Sequence, residues 1–203
     1  MNQIIRKHLQ KDSIFAPLLD QIKIAEITQK TNIYCTLLES IVSQQLSVKA
    51  SDSIWKRFLD LFENNYPNPK TVIELDLETL RKSGLSQQKA NYIKNVALFS
   101  LENSLDYDHL QSLSDIEIVN YLTKIKGVGV WTVQMLLMFH LQRGDVFPID
   151  DLGIRNAIVD LYALKEEGKA LKTRLLEISD AWKPYRSFAC FYLWRWRDSK
   201  NKK

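Results

Sequence analysis

The chain has 203 residues, 45% hydrophobic and 26% charged, with six glycines and five prolines; this suits one large domain or two small lobes and disfavours disorder, a collagen repeat or a turn-rich β-sandwich. The formal charge is +4, but the final ten residues, WRWRDSKNKK, set Arg195, Arg197, Lys200, Lys202 and Lys203 against Asp198 and so carry the whole surplus. The body before Trp194 is neutral on balance, so net charge alone argues for no nucleic-acid partner.

Apolar residues recur at helical spacing nearly throughout and sustained strand-like alternation is absent, which predicts an all-α fold. Residues 32–45 place Ile33, Leu37, Leu38, Ile41 and Val42 on one stripe, and Ser47 can cap a following helix bearing Ile54, Trp55, Phe58, Leu61 and Phe62. Gln44-Gln45 then falls at a helix end. Asn68-Pro69 supplies a cap and a first-turn proline, Asp76 can cap a short helix ending at Gly84, and Ser86 opens another through Leu101. Ser114 and Glu117 form a Ser-x-x-Glu capping box, so a helix should run from Asp115 to Lys124 before Gly127-Val128-Gly129 interrupts it. A strongly apolar helix over 131–141 follows, then an extended segment, 145–148, whose proline biases Phe147 away from helix. Past Asp150-Asp151, helical patterns resume over 152–161, 169–178 and 184–197, with no internal repeat or long linker.

Charge is segregated along the chain. Residues 79–101 hold Arg81, Lys82, Lys89 and Lys94 with no acid, whereas 101–120 hold Glu102, Asp106, Asp108, Asp115 and Glu117 with no base, which predicts a basic side on a neutral body. Cys35 and Cys190 have no close-spaced Cys or His partners, which excludes a zinc ribbon or a cysteine-ligated iron–sulfur cluster. His8, His109 and His140 lack neighbours at ligand spacing and read as surface or core histidines. Nowhere do ~18 consecutive apolar residues occur, so a soluble intracellular protein without membrane association is expected, in the cytoplasm or nucleoid of a bacterium or the nucleus of a eukaryote.

The segment 122–132, Leu-Thr-Lys-Ile-Lys-Gly-Val-Gly-Val-Trp-Thr, reads as helix, glycine hairpin and second helix. Two glycines permit positive φ and close approach of a flat surface, and the second helix begins with unpaired N–H groups and the positive end of its dipole. Such a hairpin can hold a phosphate, and Lys124 and Lys126 add positive potential. By itself it reads better as a plain turn between helices. Its significance comes from Asp150-Asp151, which follows after an apolar helix and a proline-bearing loop.

Together, 122–132 and 145–155 resemble the helix–hairpin–helix and Gly/Pro-rich loop with Asp of the DNA base-excision glycosylase superfamily. IVSQQLSVKA at 41–50, GLSQQKANYIKNVA at 84–97 and WKPYRSFACFYLW at 182–194 resemble its alkylbase (3-methyladenine) branch. The resemblance covers about 32–197 and makes Asp151 the expected catalytic carboxylate, with Asp150 a structural cap for the next helix. Strand-nicking members carry a lysine where this chain has Trp131, so it implies a monofunctional enzyme. Trp131 and Trp194 match base-pocket positions, with Met135 and Leu152 where some relatives have aromatics; indole faces suit an electron-poor methylated purine. Gln45 matches the residue that fills the gap left by a flipped base. Lys126, Gly127, Gly129 and Thr132 match backbone-binding positions, and the main-chain carbonyls of Thr123, Ile125 and Val128 match a site for a structural sodium or potassium ion; no cofactor or catalytic metal is implied. Arg186 and Ser187 are expected to support either the catalytic loop or the DNA backbone.

The resulting expectation is a monomer of two helical lobes, 32–145 with the hairpin and 1–31 plus 146–203 with the Asp loop, and a lesion pocket in the cleft between them. It would excise 3-methyladenine and 7-methylguanine from double-stranded DNA. A non-catalytic damage-sensing DNA-binding protein and a glycosylase for deaminated or oxidised bases are the alternatives. Relatives with an extra N-terminal β domain are longer than this chain. The basic tail is expected to add sequence-independent DNA affinity.

Overall fold

Capping side chains set where most helices begin, and the expected caps are present. Ser47, Asn68, Asp76 and Ser86 each accept a first-turn amide, Ser114 with Glu117 closes a reciprocal capping box, and Asn32 adds a further cap ahead of Ile33. The computed structural model describes residues 3–24 and 32–200, and among these there are helices and no strand. In chain order they are α1 (Gln3–Leu9), α2 (Leu18–Gln21), α3 (Ile33–Ser43), α4 (Val48–Leu59), α5 (Pro69–Glu74), α6 (Leu77–Lys82), α7 (Gln87–Glu102), α8 (Tyr107–Ser112), α9 (Asp115–Leu122), α10 (Val130–Phe139), α11 (Leu152–Tyr162), α12 (Gly168–Asp180) and α13 (Arg186–Lys200). α1, α2 and α8 were not expected; at seven, four and six residues they are too short to show an apolar period. The expected helix to Lys124 ends at Leu122, where Thr123 becomes the C-cap and turns its hydroxyl onto the Val119 carbonyl at 2.7 Å.

The described chain forms two compact units, 32–136 and 3–24 with 137–200. The boundary falls inside α10, earlier than the 145 expected from the sequence, because Leu137, Met138 and Leu141 are buried in the second unit and Phe139 packs 5.1 Å from Phe191 there. In the first unit α7 is the central element. It packs on α3, α5 and α6 and buries Ala90, Ile93, Val96 and Ala97.

Two of the four cations of the predicted basic side are taken up by this packing. Lys89 Nζ donates to the carbonyls of Val42 and Gln44 at 2.8 and 2.7 Å, closing the C-terminus of α3. Lys94 Nζ donates to the Ile73 carbonyl at 2.8 Å in α5, and Lys82 pairs with Glu78. Burial pulls the Lys89 ammonium below its ordinary pKa. Lys89 and Lys94 serve helix ends, whose carbonyls attract positive charge.

The second unit is built around Trp182, which is fully buried among the rings of Phe15, Phe147 and Tyr162 at 5.3, 6.3 and 6.5 Å. α13 packs on α11 and α2. Asp12 ties the N-terminal segment to this core. Its Oδ1 accepts the amides of Ile14 and Phe15, both at 3.1 Å, while its Oδ2 accepts the Trp182 indole N–H at 3.0 Å and the Tyr162 hydroxyl. Burial, reinforced by the bond to Asp12, pushes the Tyr162 phenol above its ordinary range. Asp12→Ala leaves a buried indole N–H unsatisfied and should cost about 3 kcal/mol, lowering Tm by roughly 6–12 °C. Asp12→Asn should rescue little, because its amide turns a donor toward an indole that can only donate; calorimetry of the two variants checks both statements.

Candidate active site

Three local structures carry most of the expected site residues, the hairpin, the turn between α3 and α4, and the loop into α11, with Met135 on α10 and Trp194 on α13. In the hairpin, Ile125 N–H donates to the Leu122 carbonyl and Val128 N–H to that of Ile125, at 3.1 and 3.0 Å. Gly127 has φ +110°, and a methyl group there would lie 2.6 Å from Tyr92 Cβ. It is therefore glycine for two internal reasons, backbone conformation and the seating of Tyr92. Gly129 differs, since a methyl group on it would meet nothing within 4 Å. The hydrogen-bond ladder of α10 starts with Val133 N–H donating to the Gly129 carbonyl at 3.1 Å, so the amides of Val130, Trp131 and Thr132 lie outside it. Thr132 is buried, so only its backbone can serve a partner, whereas Lys126 and Lys124 are exposed. Trp131 is 48% exposed, and Met135 follows one turn later on α10.

Two carbonyl oxygens of the hairpin accept side-chain amides. Gln44 Nε2 donates to the Gly127 carbonyl at 3.2 Å and Asn95 Nδ2 to that of Lys126 at 3.1 Å. Both amides land outside the expected cation set of Thr123, Ile125 and Val128, whose oxygens are of the kind that suits a hard monovalent ion. Among the described residues no group of His, Cys, Asp and Glu could hold a metal.

At the turn between α3 and α4 the two glutamines separate. Gln44 is the C-cap of α3 and ties the turn to the hairpin, while Gln45 is exposed in the left-handed region at φ +57°. A non-glycine residue there costs about 1–3 kcal/mol and persists where its surroundings over-determine it. Leu46 and Val48 beside it are exposed apolar residues.

The loop into α11 is held by the start of α13. Arg186 grips Asp145 with a two-pronged bond, Nε to Oδ1 at 2.7 Å and Nη2 to Oδ2 at 3.0 Å. The buried Ser187 hydroxyl donates to the Arg143 carbonyl at 2.7 Å and accepts the Val146 amide at 2.9 Å. Of the two expected roles for this pair, loop support is the one seen. The cap of α11 is Asp151, not Asp150 as expected: Asp151 Oδ1 accepts the Ile154 amide at 2.8 Å, whereas exposed Asp150 pairs with Lys172 at 3.1 Å. Asp151 is one residue closer to the helix, where its side chain can turn back onto the first turn.

Asp151 Oδ1 also accepts the Trp194 indole N–H at 3.0 Å. Gly153 leaves room for this approach, since a methyl group there would lie 3.0 Å from Asp151 Oδ1 and 3.2 Å from Trp194 Nε1, tighter than an ordinary contact. Trp194 stacks near-parallel on Phe139, centroids 5.8 Å apart, with Phe191 tilted at 6.2 Å. Leu152, 67% exposed, begins α11. Cys190, buried one turn before Trp194, has its thiol pushed up first by burial and then by the Asp151 charge. Sequence reasoning missed Gly153 and Phe139; a glycine after Asp-Leu and an aromatic at the end of an apolar helix carry no signal of their own.

The basic tail is partly engaged: Arg197 meets Asp160 at 3.4 Å and the Lys200 ammonium lies 3.9 Å over the Trp196 ring. Lys202 and Lys203 lie outside the described residues. Among those residues no helix is long and apolar enough to cross a membrane.

Residues 38–184 match the profile of the HhH-GPD superfamily base excision DNA repair proteins. DNA-3-methyladenine glycosylase 1 of Schizosaccharomyces pombe is 36% identical over 169 residues, covering 82% of this chain and 73% of that protein. The solved S. pombe 3-methyladenine DNA glycosylase in complex with abasic DNA superposes with a TM-score of 0.82 at 33% identity, covering 94% of each chain. The DNA-3-methyladenine glycosidase of Bacillus halodurans gives 0.84 at 31% identity, covering 98% of this chain and 91% of that one. With the profile spanning the capped hairpin, the loop and Asp151, the chain belongs to the HhH-GPD superfamily of base excision DNA repair proteins.

Proposed function

We propose that this chain is a monomeric, monofunctional DNA glycosylase that turns a damaged nucleotide out of double-stranded DNA and hydrolyses the N-glycosidic bond of an alkylated purine, 3-methyladenine or 7-methylguanine. The observation that carries the reading is the Asp151 carboxylate, aimed by donors from two helices. The relatives named as 3-methyladenine glycosylases, one of them solved on abasic DNA, support the substrate class.

Such a base is already cationic, so it departs with the bonding electron pair without prior protonation. The sugar left behind is oxocarbenium-like, and a fixed carboxylate stabilises that charge and orients the water that adds to it. Water supplies the hydroxyl at the sugar carbon and releases a proton. The Ile154 amide and Trp194 indole hold Asp151 in place before the charge develops, which is the preorganisation this chemistry rewards. Trp194, backed by Phe139, offers an aromatic face to the base, and Trp131, Met135 and Leu152 are assigned as further lining. An indole at 131 in place of an amine leaves no nucleophile there for a Schiff base, hence the monofunctional assignment.

Gln45 is assigned to fill the gap in the duplex. The first-turn amides of α10, with Lys126, would hold the DNA backbone, and the carbonyls of Thr123, Ile125 and Val128 would hold a monovalent cation that stiffens the hairpin. Open space before Gly129 leaves room for a phosphate where Gly127 is already covered by Tyr92.

Asp151→Asn keeps an oxygen for both donors, so folding should be unchanged while single-turnover release of 3-methyladenine from methylated duplex falls by at least about a hundredfold. Equal release by the variant, or greater release of uracil or hypoxanthine by the wild type, would overturn the assignment. Borohydride should trap no protein–DNA adduct. Trp194→Phe preserves stacking but removes the N–H, and should slow excision about tenfold or more with little change in duplex affinity. Gly129→Ala should weaken duplex binding without shifting Tm, whereas Gly127→Ala should destabilise the fold by about 2–3 kcal/mol; binding and melting measured on both variants separate the two glycines.

A further inference from the structure

The segment 84–97, GLSQQKANYIKNVA, has no part in the chemistry above, yet α7 reaches both elements assigned to DNA. Lys89 closes the end of α3 by donating to the carbonyls of Val42 and Gln44. Tyr92, three residues on, sits against Gly127, where a methyl group would lie 2.7 Å from its Cδ2. Asn95, three further, donates to the Lys126 carbonyl at 3.1 Å. Gln88 Nε2 steadies the Tyr92 hydroxyl at 2.6 Å. Spacing of three keeps these residues on adjoining turns of one helix face. A direct strut completes the arrangement: Gln44, whose carbonyl Lys89 holds, donates its own side-chain amide to the Gly127 carbonyl at 3.2 Å.

We propose that Lys89 and Gln44 are positioning residues that lock the Gln45 turn to the hairpin, so that the residue filling the duplex is held at a set distance from the phosphate the hairpin grips. This rests on the glycosylase reading for the roles of Gln45 and the hairpin. Its physical content is that Gln45 alone, in a left-handed conformation on an exposed turn, would sample other backbone states. Two ammonium bonds on the preceding carbonyls and one amide bond to the hairpin remove that freedom within a single compact unit. Inserting Gln45 then incurs little ordering cost at the moment of flipping.

The test is a double-mutant cycle between Lys89→Met and Gln45→Ala, with Lys89→Arg as the conservative control. Two readouts are taken: single-turnover excision from methylated duplex, and fluorescence of 2-aminopurine placed opposite a non-hydrolysable abasic analogue. Lys89→Met should slow excision about tenfold and shift the fluorescence toward that of Gln45→Ala, with duplex affinity within about threefold of wild type. Adding Lys89→Met to Gln45→Ala should change either readout less than about twofold, and Lys89→Arg should recover most of the loss. Gln44→Leu, which cuts the strut from the other side, should reproduce Lys89→Met and guards against a variant that fails to fold. Losses that multiply in the double mutant, or a Lys89→Met fluorescence equal to wild type, would overturn the proposal. Absence of excision by the wild type with the fluorescence coupling intact would instead defeat the glycosylase reading and leave the lock standing.

Discussion

The loop that carries Asp151 has little regular hydrogen bonding of its own, so its place depends on α13. The fork of Arg186 on Asp145 and the bonds of Ser187 to Arg143 and Val146 hold its beginning, and the Trp194 indole holds Asp151 at its end. Ser187 and Trp194 are seven residues apart, two turns on the same face, with buried Cys190 between them. One helix therefore grips the loop at both ends. Gly153 eases the grip, since a methyl group there would sit tightly against both the Asp151 carboxylate and the Trp194 indole over the first turn of α11.

Electrostatics are local rather than global. Lys89 and Lys94 sit in a run free of acids, yet their ammonium groups finish the C-termini of α3 and α5. Those helix ends would otherwise leave carbonyls without partners in a packed unit, and lysine reaches them while covering apolar surface with its stem. The cations left exposed at the hairpin are Lys124 and Lys126, beside the first-turn amides of α10. Affinity for a polyanion would therefore arise mainly where backbone amides and a few charges converge, and would be salt-sensitive in proportion to those few contacts.

The all-α class, the capping residues and the hairpin were legible from residue order because each depends on neighbours within one or two turns. Ser47, Asp76, Ser86 and Ser114 cap in place because a short polar side chain before an apolar period has one nearby use. The glycines were legible only as a pair. Tyr92, more than thirty residues away in the chain, separates Gly127, required by packing, from Gly129, which faces open space. Asp150 and Asp151 show the same limit. Two adjacent acids before a helix compete for one cap, and only the backbone direction at Pro148 through Leu152 decides that Asp151 takes it.

By itself, the sequence determined most of the longer helices and their starts, and which residue types stood ready for nucleic-acid chemistry, since periodicity and capping are local physics. Tertiary structure alone decided how those residues are used: Trp194 as a donor to Asp151 as well as an aromatic face, Arg186 as a loop clasp, Lys89 as a helix terminator, and Gln44 as a strut while Gln45 stays exposed. Each of these roles turns on a partner brought close by packing from tens of residues away, and hydrogen-bond distance is a property of the folded chain, not of residue order.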